Sequence, residues 1–291
     1  MAREVRWERM FPDELEAAFE ACPVVYMPYG LCEPHGPQNA LGMDGLRAHA
    51  CSCRAAHRYG GIVAPPTFWN VHELGIYAAW AHPRIGQARP WLTALPPWVF
   101  FKDLCYHVRA ADALGFQAIV VFSGHGGPHG HDFRTLTELL QPHFAGRLAL
   151  LTDADLIRST SCGHADKVET SMLWAAEPDC VDISRLPAPD DPGPHFAMGS
   201  NAYESDRRLG EALVAEVAEN LGTVAQELLE AYREPPAGRQ ALTYDDIERI
   251  WEEDVRPRVP EFRSMQDLSE GQEPPPEDSR WWLQWRVPRR A

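Results

Sequence analysis

A short apolar run, Val24-Val25-Tyr26-Met27, passes directly into a glycine-rich stretch, Pro28 to Asp44, that reads PYGLCEPHGPQNALGMD. The run carries β-branched residues and no polar alternation, so it reads as a buried strand. Open α/β sheets place their ligand sites at the carboxyl ends of strands. The stretch that leaves this end carries Glu33, His35 and Asp44. On an extended loop Glu33 and His35 can reach one point together. Asp44 falls at or near the start of the next predicted helix, Gly45 to Arg58, where a carboxylate can bridge two cations. One His and two carboxylates suit Zn²⁺, Mn²⁺ or Fe²⁺ better than a metal that prefers thiolates.

The rest of the chain supplies the layers around this strand. Asp13 to Ala21, Trp98 to Leu114, Asp132 to Leu140, Val168 to Glu177 and Asp206 to Tyr232 read as helices, the last with Leu209, Leu213, Val217, Leu221, Val224 and Leu228 on one stripe. Ile62-Val63-Ala64, Gln117 to Phe122 and Leu148 to Leu151 read as strands, and Gly115 stands where a helix C-cap is expected. Strands alternating with helices predict an α/β fold with a mainly parallel sheet. Thr67 to Pro97 is rich in Trp, His, Gly and Pro and lacks a clear period. A long irregular segment of that kind is expected to line a pocket or a subunit contact. Residues 1–233 are expected to form the main domain. Residues 234–291 carry prolines, charge runs and Trp251, Trp281, Trp282 and Trp285. They read as an extension that packs on its own or a neighbouring subunit, because disordered tails rarely hold so many aromatics.

Composition narrows the partners. With 291 residues, 45% of them hydrophobic, the chain can bury a sizeable core. A formal net charge of −15 argues against nucleic acid and anionic membranes, leaving a small molecule as the expected substrate. The charged start, MAREVRWERMFPDELE, has no apolar core of a signal peptide, and no run is apolar enough to span a membrane. The 7 cysteines lack CxxC spacing and read as reduced thiols of a cytoplasmic protein.

Two further segments carry chemistry. His125 lies in Ser123-Gly124-His125-Gly126-Gly127, immediately after a buried strand, and Gly163 to Ser171 reads GHADKVETS. In a parallel sheet these segments and the glycine loop share one edge, so their His, Asp and Glu side chains can converge. Several such ligands with one shared carboxylate make a two-metal hydrolytic site.

Taken together, PYGLCEPHG with LGMD, LGFQAIVVFSGHGG, GHADKVETS and the long helix of the last third resemble the creatininase (creatinine amidohydrolase) family over roughly residues 20 to 232. The resemblance implies a three-layer α/β/α sandwich and commonly a homo-oligomer, a hexamer. It implies two divalent metal ions per chain held by Glu33, His35, Asp44 and His125, with Asp44 bridging and Glu169 completing the set. It casts His164 as the acid that protonates a leaving nitrogen. Glu169 has a second reading as a helix N-terminal carboxylate, and His164 as a hydrogen-bond donor that only orients a ligand. The chain departs from the family's NGHGGN, with Ser123 and Pro128 in place of the two Asn. Creatinine-cleaving members carry Glu where this chain has Gly127, which points to a substrate other than creatinine.

Around the site, His129, His131 and Trp69 are candidate substrate contacts. Trp69, Trp80 and Trp91 read equally as oligomer contacts, His129 and His131 as rim residues, and Asp153 and Asp155 as helix caps. The expected function is metal-dependent hydrolysis of an amide, cyclic amide or formamide bond. Two alternatives stay open: hydrolysis of a carbon–carbon bond in a cyclic keto-sugar, and a non-catalytic metal-containing assembly subunit.

Overall fold

The computed structural model describes residues 3–72, 74–86, 89–126 and 129–288. After α1 (Pro12–Ala21), the strands β1 (Val24–Tyr29), β2 (Ile62–Val63), β3 (Ala118–Ser123) and β4 (Arg147–Thr152) form one sheet in the order β2-β1-β3-β4. Every pairing in it is parallel. Parallel neighbours need crossovers, and α2 (Met43–Tyr59), α3 (Gly75–Ile85), α4 (Pro97–Ala113) and α5 (His129–Leu140) lie between the strands in the chain. The short α6 (Asp153–Leu156) follows β4, and α7 (Lys167–Ala176), α8 (Arg207–Ala231) and α9 (Tyr244–Ile250) complete the helices.

Successive side chains of a strand point to opposite faces, so the buried runs seen in the sequence feed two cores. Val25, Met27, Ile119 and Val121 pack with Phe101 and Leu104 of α4 and Leu136 of α5. Val24, Tyr26, Val120 and Phe122 pack with Ala55 of α2, Met172 of α7 and Val217 of α8. The result is the three-layer α/β/α sandwich expected from the sequence. The register brings Tyr29, Ser123 and Thr152 into one row. Three strands therefore end together, and the segments that follow them start from a common rim.

Two regions differ from a reading of periodicity. The Trp-rich segment holds α3, which includes Pro83 and begins at Gly75 with φ of 50°. Its apolar stripe is obscured by Gly, His and Pro, and its first turn is completed from outside: Gly75 N donates to the Trp285 carbonyl at 2.6 Å and Ile76 N to that of Gln266 at 3.4 Å. The second region is the C-terminal segment. Ile247, Ile250, Trp251, Val255, Val259, Phe262 and Met265 join the same core as α4 and α5. Trp281 closes a smaller cluster with Ala78, Ala81 and Ile85 of α3. Among the described residues no helix is long and apolar enough to cross a membrane.

Candidate metal centre

Close backbone contact decides where the first carboxylate lies. A Cβ on Gly30 would stand 2.1 Å from the Gly45 nitrogen, and one on Gly124 would stand 2.3 Å from the Asp44 carbonyl oxygen. Glycine at both positions lets the ends of β1 and β3 press on the first turn of α2. Asp44, in that turn, is carried between the loop after β1 and the loop after β3. The loop after β1 brings Glu33 and His35, its backbone held by Glu33 N donating to the Leu41 carbonyl at 3.0 Å. His125 follows β3. Asp166 caps α7 by accepting from Val168 N at 2.8 Å and Glu169 N at 3.1 Å, which turns Glu169 toward the same rim.

The five side chains meet. Asp44 sends Oδ1 to within 3.0 Å of His35 Nε2 and Oδ2 to within 3.3 Å of His125 Nδ1. Glu33 Oε1 lies 2.8 Å from His125 Nδ1, and Glu169 Oε2 lies 3.7 Å from His35 Nε2. All are buried. Yet Glu33 Oε1, His35 Nε2 and both carboxylate oxygens of Asp44 have no aligned hydrogen-bond partner. Buried polar atoms are normally satisfied, so four such atoms crowded on one point fit a cation placed between them.

The outer nitrogens agree with this. His35 Nδ1 donates to the Glu33 carbonyl, His125 Nε2 to that of Val71 and His164 Nε2 to that of Pro34, each at 3.0 Å. An imidazole that gives one N–H to a carbonyl presents its other nitrogen as a fixed lone pair, the usual support of a metal-ligating His. Among the described residues, four groups of donors are close enough to hold an ion: Glu33 with His35 and His164, Asp153 with Cys162 and Glu169, and two that share no residue, Glu33 with His72 and His125 and His35 with Asp44 and Glu169. Asp44 joins the last two, one oxygen toward each.

Two contributors escape sequence reasoning. His72 brings Nε2 to 3.1 Å from Glu33 Oε2. It sits in the Trp-rich segment with no motif around it, and only the expectation that this segment lines a pocket touched on it. Arg47, one helical turn after Asp44, is fully buried. Its guanidinium donates to Asp153 Oδ1 at 2.8 Å, the Gly124 carbonyl at 2.8 Å and Glu169 Oε1 at 3.0 Å. A lone arginine within the apolar stripe of a predicted helix was the available signal. Asp155 accepts from Thr152 N and caps α6, whereas Asp153 anchors Arg47.

The charges are strongly coupled. Burial resists ionisation of Glu33, but the imidazoles of His125, His164 and His72 hold its carboxyl well below the ordinary range. Burial likewise opposes a charge on His35, yet Asp44, Glu33 and Glu169 carry its pKa up to about 9. Burial raises Glu169 to about 7 against the pull of Arg47 and His35. His164 goes the other way: burial and the neighbouring His35 depress it to about 4, leaving a neutral ring at neutral pH. That ring stacks on His35 at 4.3 Å between centroids and meets the Trp80 ring edge-on at 5.2 Å.

The cluster opens into a cavity of about 710 Å³ whose wall includes Glu33, Asp44, His125, His164, Glu169 and Trp80. That volume suits a small molecule. His131 stays off this wall, exposed, with Nδ1 3.4 Å from Asp132 Oδ1. Trp69 is 55% exposed and also lies off it. The side chain of His129, and Gly127 and Pro128, lie outside the described residues.

A family model described as Creatininase: Creatinine amidohydrolase matches residues 8–225. The chain belongs to the creatininase family. Solved creatininase structures share the fold. One described as creatininase Mn is 22% identical, covers 79% of this chain and 100% of its own, and superposes with a TM-score of 0.57. A mutant creatininase of Zn-Zn type is 22% identical over 79% of this chain and 99% of its own, with a TM-score of 0.56. A protein from Bacteroides fragilis, provisionally named a creatinine amidohydrolase, is 17% identical over 79% of this chain and 98% of its own, with a TM-score of 0.60. A comparison with curated protein sequences finds no match. Within this creatininase-family chain, the match ends before the C-terminal segment that packs on α4 and α5.

Proposed function

We propose that this protein is a divalent-metal-dependent hydrolase that cleaves an amide, cyclic amide or formamide bond of a small molecule. Glu33, His35, Asp44, His125 and Glu169 would hold two ions of Zn, Mn or Fe per chain, with His72 beside Glu33 as a further donor. The observation that carries the reading is Asp44, whose two buried oxygens diverge, Oδ1 to within 3.0 Å of His35 Nε2 and Oδ2 to within 3.3 Å of His125 Nδ1. The creatininase neighbours of Mn and Zn-Zn type support it. When bound, the ions supply an acidified water and polarise the carbonyl under attack.

The chain's own groups do the rest. His164 has Nε2 tied to the Pro34 carbonyl, so Nδ1, 3.9 Å from Glu33 Oε1, is the nitrogen left to exchange protons. A ring that rests neutral accepts a proton before it can give one. His164 would therefore take the proton of the attacking water and deliver it to the leaving nitrogen, serving as base and then acid. Trp80 packs on His164 and limits its rotation. Arg47 holds Glu169 Oε1, and Ala165 N donates to Oε2 at 2.6 Å, which fixes Oε2 3.7 Å from His35 Nε2. Gly127, where creatinine-cleaving members carry Glu, keeps creatinine out of the proposed substrates.

Metal analysis with kinetics tests this. The full-length protein should bind two ions per chain, and their removal should abolish turnover of small amides. Asp44→Ala should lose both ions. His164→Ala should keep them and lose turnover by roughly a hundredfold or more, the usual range for a general acid–base. An Asp44→Ala protein with a full metal complement would refute the shared-carboxylate site.

A further inference from the structure

The C-terminal segment does more than cover α4 and α5. It lies beyond residues 8–225, which the family model matches, yet Arg263, Ser269 and Gln272 stand on the wall of the metal-site cavity. Among the described residues Arg263 is the sole Lys or Arg on that wall. Its backbone is fixed from below. Arg263 N and Ser264 N donate to the two carboxylate oxygens of Asp132 at 2.6 and 3.0 Å, and Asp132 is completely buried. A buried carboxylate that spends both oxygens on two successive amides sets where the side chain of Arg263 begins. Gln272 Nε2 donates to the Ile76 carbonyl at 3.3 Å, tying the same stretch to α3. The guanidinium stands beside the Tyr77 hydroxyl and stays accessible, as a ligand contact must.

Glu33, Asp44 and Glu169 are committed to cations in the reading above, on which this inference rests for the word substrate. Arg47 is committed to Asp153 and Glu169. Arg263 is thus the cation left to answer a charge on the incoming molecule. One guanidinium matches one planar carboxylate through two parallel hydrogen bonds. A phosphate, with its higher charge, would call for further cations, and among the described residues the wall carries no second one.

We propose that Arg263 is a specificity residue that selects substrates carrying a free carboxylate, so that the compound cleaved is a small N-acyl or N-formyl derivative of an amino acid. The carboxylate is held on the C-terminal segment while the carbonyl faces the metal ligands.

The test uses the full-length, zinc-loaded protein and two probes that differ only in charge, N-formylglycine and N-formylglycinamide. Affinity is read by titration calorimetry, formate release separately, and metal content in parallel. Wild type should bind the acid roughly tenfold to a hundredfold more tightly than the amide, the range for a hydrogen bond to a charged group. Arg263→Gln should erase that preference with unchanged metal content, and Arg263→Lys should keep part of it. Equal affinity for the two probes, binding of neither, or a preference that survives in Arg263→Gln would overturn the proposal. A charge preference without formate release would uphold Arg263 and count against the hydrolase reading.

Discussion

Asp44 and Arg47 sit one helical turn apart on α2 and divide the work of the site between them. Asp44 offers both oxygens to the cavity, while Arg47 stands behind and neutralises Asp153 and Glu169. Removing one partner of a buried pair leaves an uncompensated charge, at a cost of roughly 3–5 kcal/mol. Arg47→Met should therefore lower the unfolding free energy by an amount in that range, read from the shift in the urea midpoint, and Glu169 should lose its fixed orientation. Protonation follows the same logic. In the metal-free protein His35 has its pKa raised from 6.5 to about 9. The stability from its charge is complete below the lower value and disappears as pH climbs through the upper one. Glu169, raised to about 7, adds a loss in the same direction. The melting temperature of metal-free protein should fall between pH 6.5 and pH 9. Zinc should reverse the trend, because ligands bind it deprotonated. Thermal scans across that range, with and without zinc, decide the matter. Glu33, His35, Asp44 and His125 were visible as candidates because each leaves a strand end inside a motif. His72 and Arg47 were not, because nothing local distinguishes them and their roles exist only once distant segments meet.

At the level of elements, what could be read depended on where each segment finds its stabilising partners. The strands and α4 carry their own signals: unbroken apolar runs, a long stripe, and Gly115 at φ of 92° just past the helix end. α3 carries none, since its first turn and its apolar face are both completed by the C-terminal segment. That segment in turn was legible as packed material from its tryptophans, but its partner surface was not. Phe262 shows how strongly it is bound in. Its ring is fully buried and meets Phe101 of α4 edge-on at 4.8 Å between centroids. Phe262→Ala should destabilise the protein by roughly 3–5 kcal/mol. Leu283, 85% exposed, offers the contrast, and its truncation to Ala should change stability by less than about 0.5 kcal/mol. Equal effects of the two in urea unfolding would mean that the segment is not docked as described.

Across the whole molecule, the parallel order β2-β1-β3-β4 and the shared row of strand ends put the cluster where an α/β sheet is expected to place it. The residues that a family comparison recognises stop at 225, while one of the two cores continues to Met265. The consequence is practical. Anyone trimming a gene for this protein to its recognisable portion would strip Phe101, Leu104 and Leu136 of their cover and leave a greasy plate facing water. Such a clone should go to inclusion bodies, or emerge as soluble aggregate on size exclusion, where the 291-residue chain yields dispersed material. Homology alone would have drawn the cut in the wrong place.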